Sequence, residues 1–460
     1  MPSQINSPYK ILNQIRTIFS SIYTPSVSPH RTWWRFIVAR FKPGGFLRNV
    51  AIVSTGTAIA QGIQVLASPV LTRLYSPADF GIFSVYLSAV PILTIISTLQ
   101  YSMAIVLPKE DKDAKALLGM VVKIAAALTL FFLAIAFALK FIGLQRFGLK
   151  EIPWVILPVI VLATFVNMLS ETLNNWNIRT KSFVLITTAL VSSAVCAVLL
   201  SIGLRVLAAG WWGLVAGMLL GKIVNLFVQL FYGDRLRVVR DSLAVSNDRG
   251  YASAVLKDYS DFPKYRLPQN LLNSLSLNLP AIIFVTFFGP ATGGFFALAR
   301  RVIALPSALI SEAVRKVFYQ KAADLKNKGG GLFDATLKAT LGLATVGLIP
   351  FGTIVLFGPT LFSVIFGHQW RTAGLYASWL ALWMYFAFCN NPAQAAIPVI
   401  RFQKQFLIYE IILFATRILA LGVGGIAHKH ELAIVLFAVS GAALNLYLIV
   451  LVLTQLYRSQ

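Results

Sequence analysis

The sequence predicts an all-α polytopic membrane protein with twelve transmembrane helices in two six-helix lobes that are related by an internal repeat. The first observation behind this prediction is composition, since 57% of the 460 residues are hydrophobic and only 12% are charged. A water-soluble fold does not have enough interior to bury so many apolar side chains. The second observation is the recurrence of long apolar runs, and the third is a short Pro/Gly turn that occurs twice.

A helix needs roughly 20 apolar residues to cross about 30 Å of hydrocarbon, and runs of this kind recur along almost the whole chain. The twelve predicted spans are residues 50–70, 82–107, 116–141, 152–173, 183–204, 206–232, 267–288, 295–318, 339–361, 374–399, 406–427 and 432–456. Six spans fall in each half. We therefore predict an N-terminal lobe over residues 47–232 and a C-terminal lobe over residues 267–460.

The repeated turn follows the first span and recurs after the seventh. Pro290 stands 213 positions after Pro77, and Gly294 stands 213 positions after Gly81. Proline fixes φ and glycine permits positive φ, so one copy alone is typical of any tight turn between helices. Two copies at matching places indicate a duplication, and we predict that both turns are moving gates at the lobe interface. The residues predicted for this role are Arg73, Pro77, Asp79, Gly81, Pro290 and Gly294.

The positive charge predicts the orientation. A net charge of +24 invites a nucleic-acid partner, but 28 of the 40 Lys and Arg residues lie in or at the ends of the loops and tails on one predicted side, and 7 lie on the other. By the positive-inside rule, both termini and the charged segment 233–266 lie in the cytoplasm. We predict no nucleic-acid partner, and we interpret residues 233–266 as a solvated linker between the lobes.

The N-terminal tail, residues 1–46, is basic and contains no acidic residue. It has neither an apolar core of signal-peptide length nor a small-residue cleavage site, so we predict that it stays on the protein in the cytoplasm. Aromatic residues among its arginines are compatible with an interfacial helix on anionic membrane lipids and equally with a disordered tail. These aromatic residues are Trp33, Trp34, Phe36 and Phe41.

Five basic residues lie inside predicted spans and away from the span ends, and a charge at the membrane centre costs about 2.5 to 3.5 kcal/mol. Lys123 is close enough to the cytoplasmic end for its ammonium to reach the interface. The other four are predicted to bind substrate in a polar interior, and they are Lys222, Arg300, Arg301 and Arg417. Glu410 is a candidate coupling or ion-pair residue. It stands two helical turns from Arg417, too far for a simple intrahelical ion pair, and a structural ion-pair network is the alternative role for these charges.

A cavity lined by these cations suits an anionic substrate, above all a phosphate bound by guanidinium groups, and suits a cationic drug poorly. The sequence has no glycine-rich nucleotide loop, no Ser/His/Asp arrangement and no metal-ligand cluster, so we predict no catalytic residue, metal or cofactor. His428 and His430 flank Lys429 in an outward loop, and this spacing is more typical of a solvated turn than of a metal site.

Several spans contain proline, which frees a backbone carbonyl and bends the helix. The sharpest case is Asn390-Asn391-Pro392, where two amides precede the proline. We predict a kink there, with the amides satisfying the freed backbone groups or lining a wet cavity.

Residues 47–109 carry a resemblance to a known family. The stretches are TGTAIAQ at 55–61, the first turn with Tyr86 after it, and AIVLPK at 104–109. Together they resemble the polysaccharide-transporter branch of the multidrug/oligosaccharidyl-lipid/polysaccharide (MOP) exporter superfamily, of the Wzx-like O-antigen flippase type. Beyond about residue 110 the match is mainly the number of spans.

The resemblance implies a flippase that moves an undecaprenyl-diphosphate-linked oligosaccharide across the bacterial inner membrane by alternating access. It implies lumenal basic residues and, as further partners, other polysaccharide-assembly membrane proteins. Two rivals stay open. A multidrug antiporter of the same superfamily is expected to carry a carboxylate in its first span, and a polysaccharide polymerase or ligase is expected to have a large outward loop with Arg and His. Neither feature is present in the sequence.

Overall fold

The structure is a computed structural model. It describes residues 46–142, 151–207, 210–232, 234–327, 330–400 and 402–458. The predicted tail, residues 1–46, lies almost wholly outside them. Contacts divide the chain into residues 1–55 and residues 56–460, and the described part of the first unit is the start of one long helix. All regular elements of the described residues are helical.

Sixteen α-helices follow one another in these residues. They are α1 (Phe46–Leu74), α2 (Pro77–Thr98), α3 (Tyr101–Ala104), α4 (Asp111–Ile142), α5 (Ile156–Arg179), α6 (Phe183–Val206), α7 (Trp211–Tyr232), α8 (Arg235–Val245), α9 (Arg249–Asp258), α10 (Leu267–Phe288), α11 (Pro290–Asn327), α12 (Leu332–Phe366), α13 (Arg371–Cys389), α14 (Asn391–Ala396), α15 (Gln403–Ile426) and α16 (His430–Arg458). A π-helical turn, Phe262–Arg266, precedes α10, and a 3-10 turn, His368–Trp370, precedes α13.

Eleven helical segments of the described chain are long and apolar enough to cross a membrane. They coincide with eleven of the twelve predicted spans. The eighth predicted span lies on α11, which has 38 residues and carries Arg300 and Arg301, and which is not among the eleven. The chain is therefore a multi-pass helical membrane protein, while the count of twelve and the division into two lobes stay predictions.

The helices differ in how much of their surface the protein covers. In α2, 61% of the most apolar stretch is buried, whereas in α4 and α12 only 17% is buried. Apolar side chains that stand exposed on such helices face lipid in a membrane, where backbone groups are already satisfied within the helix. Helix α2 therefore lies inside the bundle, and it packs against both α10 and α11.

The start of α2 is fixed by its sequence. Ser76 caps the helix by accepting from the backbone N–H of Asp79, and the Asp79 carboxylate accepts in return from the backbone N–H of Ser76. This reciprocal capping box, with Pro77 at the first helical position, sets where the helix begins. We call this end of the bundle, where α1 ends and α2 and α11 begin, the turn end.

The predicted span 82–107 is not one continuous helix. Helix α2 ends at Thr98, and Leu99 and Gln100 both have positive φ, 44° and 61°. Non-glycine residues rarely adopt this backbone conformation, and two in succession break a helix that hydrophobicity alone would continue. The predicted span 374–399 is also divided, into α13 and α14, at the predicted Asn390-Asn391-Pro392 kink.

The structure contains the predicted kink at Pro392, and the side-chain amides of Asn390 and Asn391 stabilise it. Proline has no N–H, so the carbonyl four residues earlier, that of Phe388, loses its helical partner. The Asn391 side-chain amide donates to this carbonyl at 2.8 Å. The neighbouring Asn390 amide donates to the Asn445 oxygen of α16 at 3.1 Å. Asparagine thus replaces the missing backbone donor and ties the kink to another helix.

Within the charged segment, residues 234–266 are largely helical, and they pack against α4. Ser242 and Val255 are buried, and Lys115 of α4 forms an ion pair with Asp241 at 3.1 Å. Tyr251 donates a short hydrogen bond to Asp113, and this bond raises the pKa of Tyr251 to about 12. The phenol therefore keeps its proton, and its role as donor, at all physiological pH values. A packed helical segment thus follows α7, and its role as a linker between two lobes stays a prediction.

Candidate functional site

The two copies of the repeated turn lie directly against each other. A Cβ atom on Gly81 would meet the backbone carbonyl of Pro290, and a Cβ atom on Gly294 would meet the backbone carbonyl of Pro77. Each glycine therefore faces the proline that begins the other helix. Only glycine allows this approach, because any side chain would overlap with the backbone opposite. The contact is reciprocal, as expected of two copies of one motif.

The end of α1 is tied to the turn before α13. The backbone carbonyl of Thr72 accepts from the Trp370 indole N–H and from the Gln369 amide, both at 2.8 Å. Arg73, predicted for gating, donates to the carbonyl of Val364 at 3.3 Å. Asp79 is occupied by the capping box of α2. These contacts close the turn end around the paired glycines.

A cavity of about 420 Å³ lies below the closed turns. Its walls come from α1, α2, α6, α7, α10 and α11. Arg300 and Arg301 both line it, and among its described lining residues there is no carboxylate. The remaining polar lining residues are Gln64, Ser68, Ser84, Ser88, Ser201 and Asn278. The cavity is therefore cationic, and its size falls within the range typical of ligand sites.

Arg300 and Arg301 are adjacent in α11 but reach different partners. Arg301 donates to the Gln64 oxygen of α1 at 3.1 Å. Arg300 donates to the backbone carbonyl of Leu277 in α10. Adjacent helical residues point about 100° apart, which explains how both border one cavity while contacting different helices.

Both Arg300 and Arg417 contact α10 close to Pro280. Its missing N–H leaves the carbonyl of Ser276 without a helical partner, and its ring forces the helix to bend there. Arg300 binds the next carbonyl, that of Leu277, and Arg417 of α15 donates to the Ser276 hydroxyl at 2.9 Å. The two arginines thus contact consecutive residues of α10 at its proline bend.

Arg417 does not line the cavity. It is only 7% exposed, and its guanidinium lies over the Trp383 ring at 4.8 Å and the Phe437 ring at 5.6 Å. Its Nε has no hydrogen-bond partner in the described chain. The place of Arg417 in the middle of its predicted span correctly indicated a buried residue, but it did not show that aromatic rings enclose the charge. The structure therefore separates Arg417 from Arg300, although the two guanidinium groups are close enough to repel each other.

Lys222 and Glu410 also lie away from the cavity lining. Glu410 attracts Arg417 electrostatically, but no Lys or Arg nitrogen of the described chain lies within ion-pair distance of its carboxylate. Lys222 of α7 instead attracts Glu171 of α5, which accepts a 3.5 Å hydrogen bond from Ser102. Glu171 was not among the predicted site residues, although it falls inside the fourth predicted span and its position alone could have identified it.

Lys123 reaches out of its span, as its depth predicts. Its ammonium donates to the carbonyl of Ser246 and to the side-chain oxygen of Asn247, both at 2.8 Å. These acceptors belong to the segment between α8 and α9. Lys123 therefore serves the packing of that segment and does not approach the cavity.

A second, outer cavity of about 360 Å³ lies at the turn end beside Gly289 and Pro290. Glu151, His428 and His430 line it. The His430 ring nitrogen lies 2.7 Å from the Tyr376 hydroxyl. No group of three or more His, Cys, Asp or Glu residues within the described ranges is arranged to hold a metal ion.

Comparisons with known proteins bear on this arrangement. The model of a family described as "Polysaccharide biosynthesis protein" matches residues 70–374. The chain belongs to this polysaccharide biosynthesis family. It is also 24% identical over 357 residues to the succinoglycan biosynthesis transport protein ExoT of Rhizobium meliloti (strain 1021), a match that takes in 73% of the chain. The chain spans 65% of the length of that relative.

Solved structures share the fold. The lipid II flippase MurJ in an inward closed conformation matches with a TM-score of 0.66 at 13% identity, over 87% of each chain. An inward-facing multidrug resistance MATE family transporter of the MOP superfamily matches with a TM-score of 0.63 at 13% identity, over 88% of this chain and 98% of that one. The solved structures confirm the all-α membrane fold predicted from the sequence, and the family match together with the relative ExoT confirms the predicted resemblance to polysaccharide-transport proteins.

Proposed function

We propose that this family member is a flippase that moves an undecaprenyl-diphosphate-linked oligosaccharide across the bacterial inner membrane. The observation that carries the proposal is the cavity itself, which holds two guanidinium groups and no carboxylate among its described lining residues. Guanidinium groups bind phosphate oxygens through paired, charge-assisted hydrogen bonds. The relative ExoT, named for succinoglycan transport, and the fold shared with the lipid II flippase support a lipid-linked saccharide as the cargo.

The closed turn end supports alternating access. Transport through a cavity requires that one side open while the other stays closed. Paired glycines and the contacts of Thr72 with Gln369 and Trp370 close the turn end, and the cavity lies on its inner side. We propose that these turns separate during the cycle and release the substrate to the periplasm.

The composition of the cavity disfavours a multidrug antiporter. A cationic drug would face two arginines, and α1 contains no acidic residue in its described length. No enzymatic activity is proposed, because the predicted outward loops are short. The protein is proposed to act as a transporter alone, with no cofactor.

Reconstitution tests the proposal. Purified protein is placed in proteoliposomes loaded with undecaprenyl-diphosphate-linked oligosaccharide carrying a radiolabelled sugar, and the exposed fraction is followed with an impermeant glycosidase. We expect the exposed fraction to grow faster than in protein-free liposomes, and Arg300→Ala to remove the difference. Equal rates with and without wild-type protein, or efflux of ethidium in a parallel assay, would contradict the proposal.

The proposed orientation has its own test. Both termini and residues 233–266 are expected in the cytoplasm because positive charge is concentrated there. An alkaline phosphatase fusion after Arg266 should be inactive, and a green fluorescent protein fusion at the same site should fluoresce. Active phosphatase at this position would reverse the orientation.

A further inference from the structure

The helix break at Leu99 and Gln100 lies at the end of the bundle opposite the turn end. Helix α2 begins at the turn end with Pro77 and runs for 22 residues, about 33 Å at 1.5 Å per residue. Two successive non-glycine residues with positive φ carry backbone strain, which persists only where the surrounding contacts hold it. The continuous helix that the hydrophobic sequence predicts over residues 82–107 is therefore a competing conformation of this segment.

Thr98 supplies the hydrogen bonds that the break requires. Its hydroxyl donates to the carbonyl of Thr94 at 3.1 Å and accepts from the backbone N–H of Gln100 at 3.3 Å. In a continuous helix, that N–H would donate to the carbonyl of Ile96, which here accepts from the N–H of Leu99 at 3.2 Å. The N–H of Gln100 thus has an acceptor in both conformations, so the segment can change between them without an unpaired donor in hydrocarbon.

A contact from the other half of the chain holds the broken form. The Gln100 side chain is buried, and its oxygen accepts from the Asn270 amide at 2.5 Å. Asn270 lies at the start of α10, and the cavity-lining Asn278 is eight residues, about 12 Å, nearer the turn end. The Gln100–Asn270 bond therefore joins the two halves of the sequence on the side of the cavity away from the turn end.

The short helix α3 makes two longer side-chain bonds as well. The Tyr101 hydroxyl donates to the carbonyl of Leu256 in α9 at 3.3 Å, and the Ser102 hydroxyl donates to Glu171 of α5 at 3.5 Å. Hydrogen bonds weaken as they lengthen. The bond to Asn270 is thus the shortest of these side-chain bonds, and it is the one that reaches α10.

We infer that the Leu99–Gln100 break is a conformational switch and that the Gln100–Asn270 bond is the gate contact that controls it. While the bond is formed, the break persists and the cavity is closed at the end opposite the turns. When the bond opens, α2 and α3 join into one helix and the cavity opens at that end. This inference rests on the proposed function, since it takes that end to be the cytoplasmic entrance of an alternating-access transporter.

Cysteine labelling tests the gate contact. Ser88 lines the cavity, so a cysteine there reports access to it in a background with Cys196 and Cys389 replaced by alanine. Inside-out membrane vesicles without substrate are treated with an impermeant maleimide. Asn270→Leu removes the bond at similar volume and should raise the labelling rate by roughly 3- to 10-fold, the effect of one lost hydrogen bond. Asn273→Leu is the matched control, because Asn273 is exposed on the same helix, and its labelling rate should not change.

Two variants of Leu99 test the switch itself. Leu99→Gly and Leu99→Ala both remove the leucine side chain beyond Cβ, so they lose the same packing. Only glycine adopts positive φ without strain, and it also disfavours a continuous helix. We therefore expect labelling from the cytoplasmic face to be slower in Leu99→Gly than in Leu99→Ala, by roughly 3-fold or more.

Immunoblots show whether each variant reaches the membrane in normal amounts, and the Leu99 pair decides the outcome if Asn270→Leu does not. Equal labelling of Asn270→Leu and Asn273→Leu, or equal labelling of the two Leu99 variants, would overturn the inference. The proposed function would then still stand, because labelling involves no substrate. If the labelling differences are present but the reconstituted protein moves no lipid-linked oligosaccharide, the switch is supported and the proposed function is wrong.

Discussion

Two sides of helix α10 show how differently this protein uses a buried arginine. On one side, Arg300 binds the Leu277 carbonyl and borders an open cavity. On the other, Arg417 binds the Ser276 hydroxyl and is enclosed by Trp383 and Phe437. The two contacts are one residue apart in α10, yet only Arg300 is available to a ligand. A charge inside a span therefore does not by itself show a binding role, because the neighbouring side chains decide whether it binds a ligand or packs.

The largest expected difference between the two sides is the response to alanine. Arg417→Ala removes a guanidinium from two aromatic rings and should lower the free energy of unfolding by about 2 kcal/mol, because cation–π contacts are strong when water is excluded. Its amount in the membrane should fall accordingly. Arg300→Ala should accumulate normally. Thermal unfolding in detergent measures the stability of each variant, and immunoblots measure its amount in the membrane. If Arg300→Ala lost more stability than Arg417→Ala, the distinction between a binding arginine and a packing arginine would be wrong.

Replacement by lysine tests the same difference between Arg300 and Arg417. Arg300→Lys keeps the charge but loses the planar fork, so we expect partial transport. Arg417→Lys keeps a cation over the rings and should recover most of the stability lost in Arg417→Ala. Transport assays with the first variant and melting curves with the second would show this. Full transport in Arg300→Lys would mean that the cavity recognises its substrate by positive charge alone, without the guanidinium geometry.

The turn end allows a comparison of backbone contacts in place of side-chain contacts. Gly81→Ala or Gly294→Ala should force apart the two backbones that now touch, with a packing cost of about 1 to 3 kcal/mol. A cysteine at Ser84, which lines the cavity, should then react with an impermeant maleimide added at the turn end. The experiment requires a background with Cys196 and Cys389 replaced by alanine.

Gly62→Ala provides the control for these variants. Gly62 is also in a helix, but a Cβ there would have no atom within 4 Å apart from its own helix and chain neighbours. Alanine at this position should leave labelling unchanged and slightly favour the helix. Equal labelling in Gly62→Ala and Gly81→Ala would show that the paired turns do not control access.

The smallest effect is expected at Lys123. Its ammonium contacts the segment after α8 and lies away from the cavity. Lys123→Ala should leave transport near the wild-type rate and affect stability by less than about 1 kcal/mol, since the lost bonds are partly exposed to solvent. A transport loss comparable with that of Arg300→Ala would contradict the distinction between the cavity and the α8–α9 segment.

Much of the fold could be predicted because hydrophobicity and proline act locally. The apolar runs identified the spans, and Asn391 with Pro392 indicated the kink that the structure contains. The break at Leu99 and Gln100 could not be predicted, since neither residue type favours positive φ and the surrounding structure imposes it.

The site was harder to predict than the fold. Repetition of Pro and Gly indicated two related turns, but their reciprocal contact depends on how distant helices pack. Arg417, like Arg300, is an arginine inside a predicted apolar span. Only its contacts with Trp383 and Phe437, which lie on other helices, distinguish it from Arg300. Gln64 and Asn278 carry no charge and so did not stand out in an apolar sequence. Helix packing, which one sequence does not encode locally, brings them beside the arginines.

The proposed function depends above all on Arg300, which is proposed to bind the diphosphate of a lipid-linked saccharide in the cavity. The most direct test is surface polysaccharide in a deletion strain that carries Arg300→Ala at wild-type protein levels, with lipid-linked intermediates extracted from the same cells. We expect surface polysaccharide to be lost and the lipid-linked intermediate to accumulate. Wild-type amounts of surface polysaccharide, with no accumulated intermediate, would contradict it.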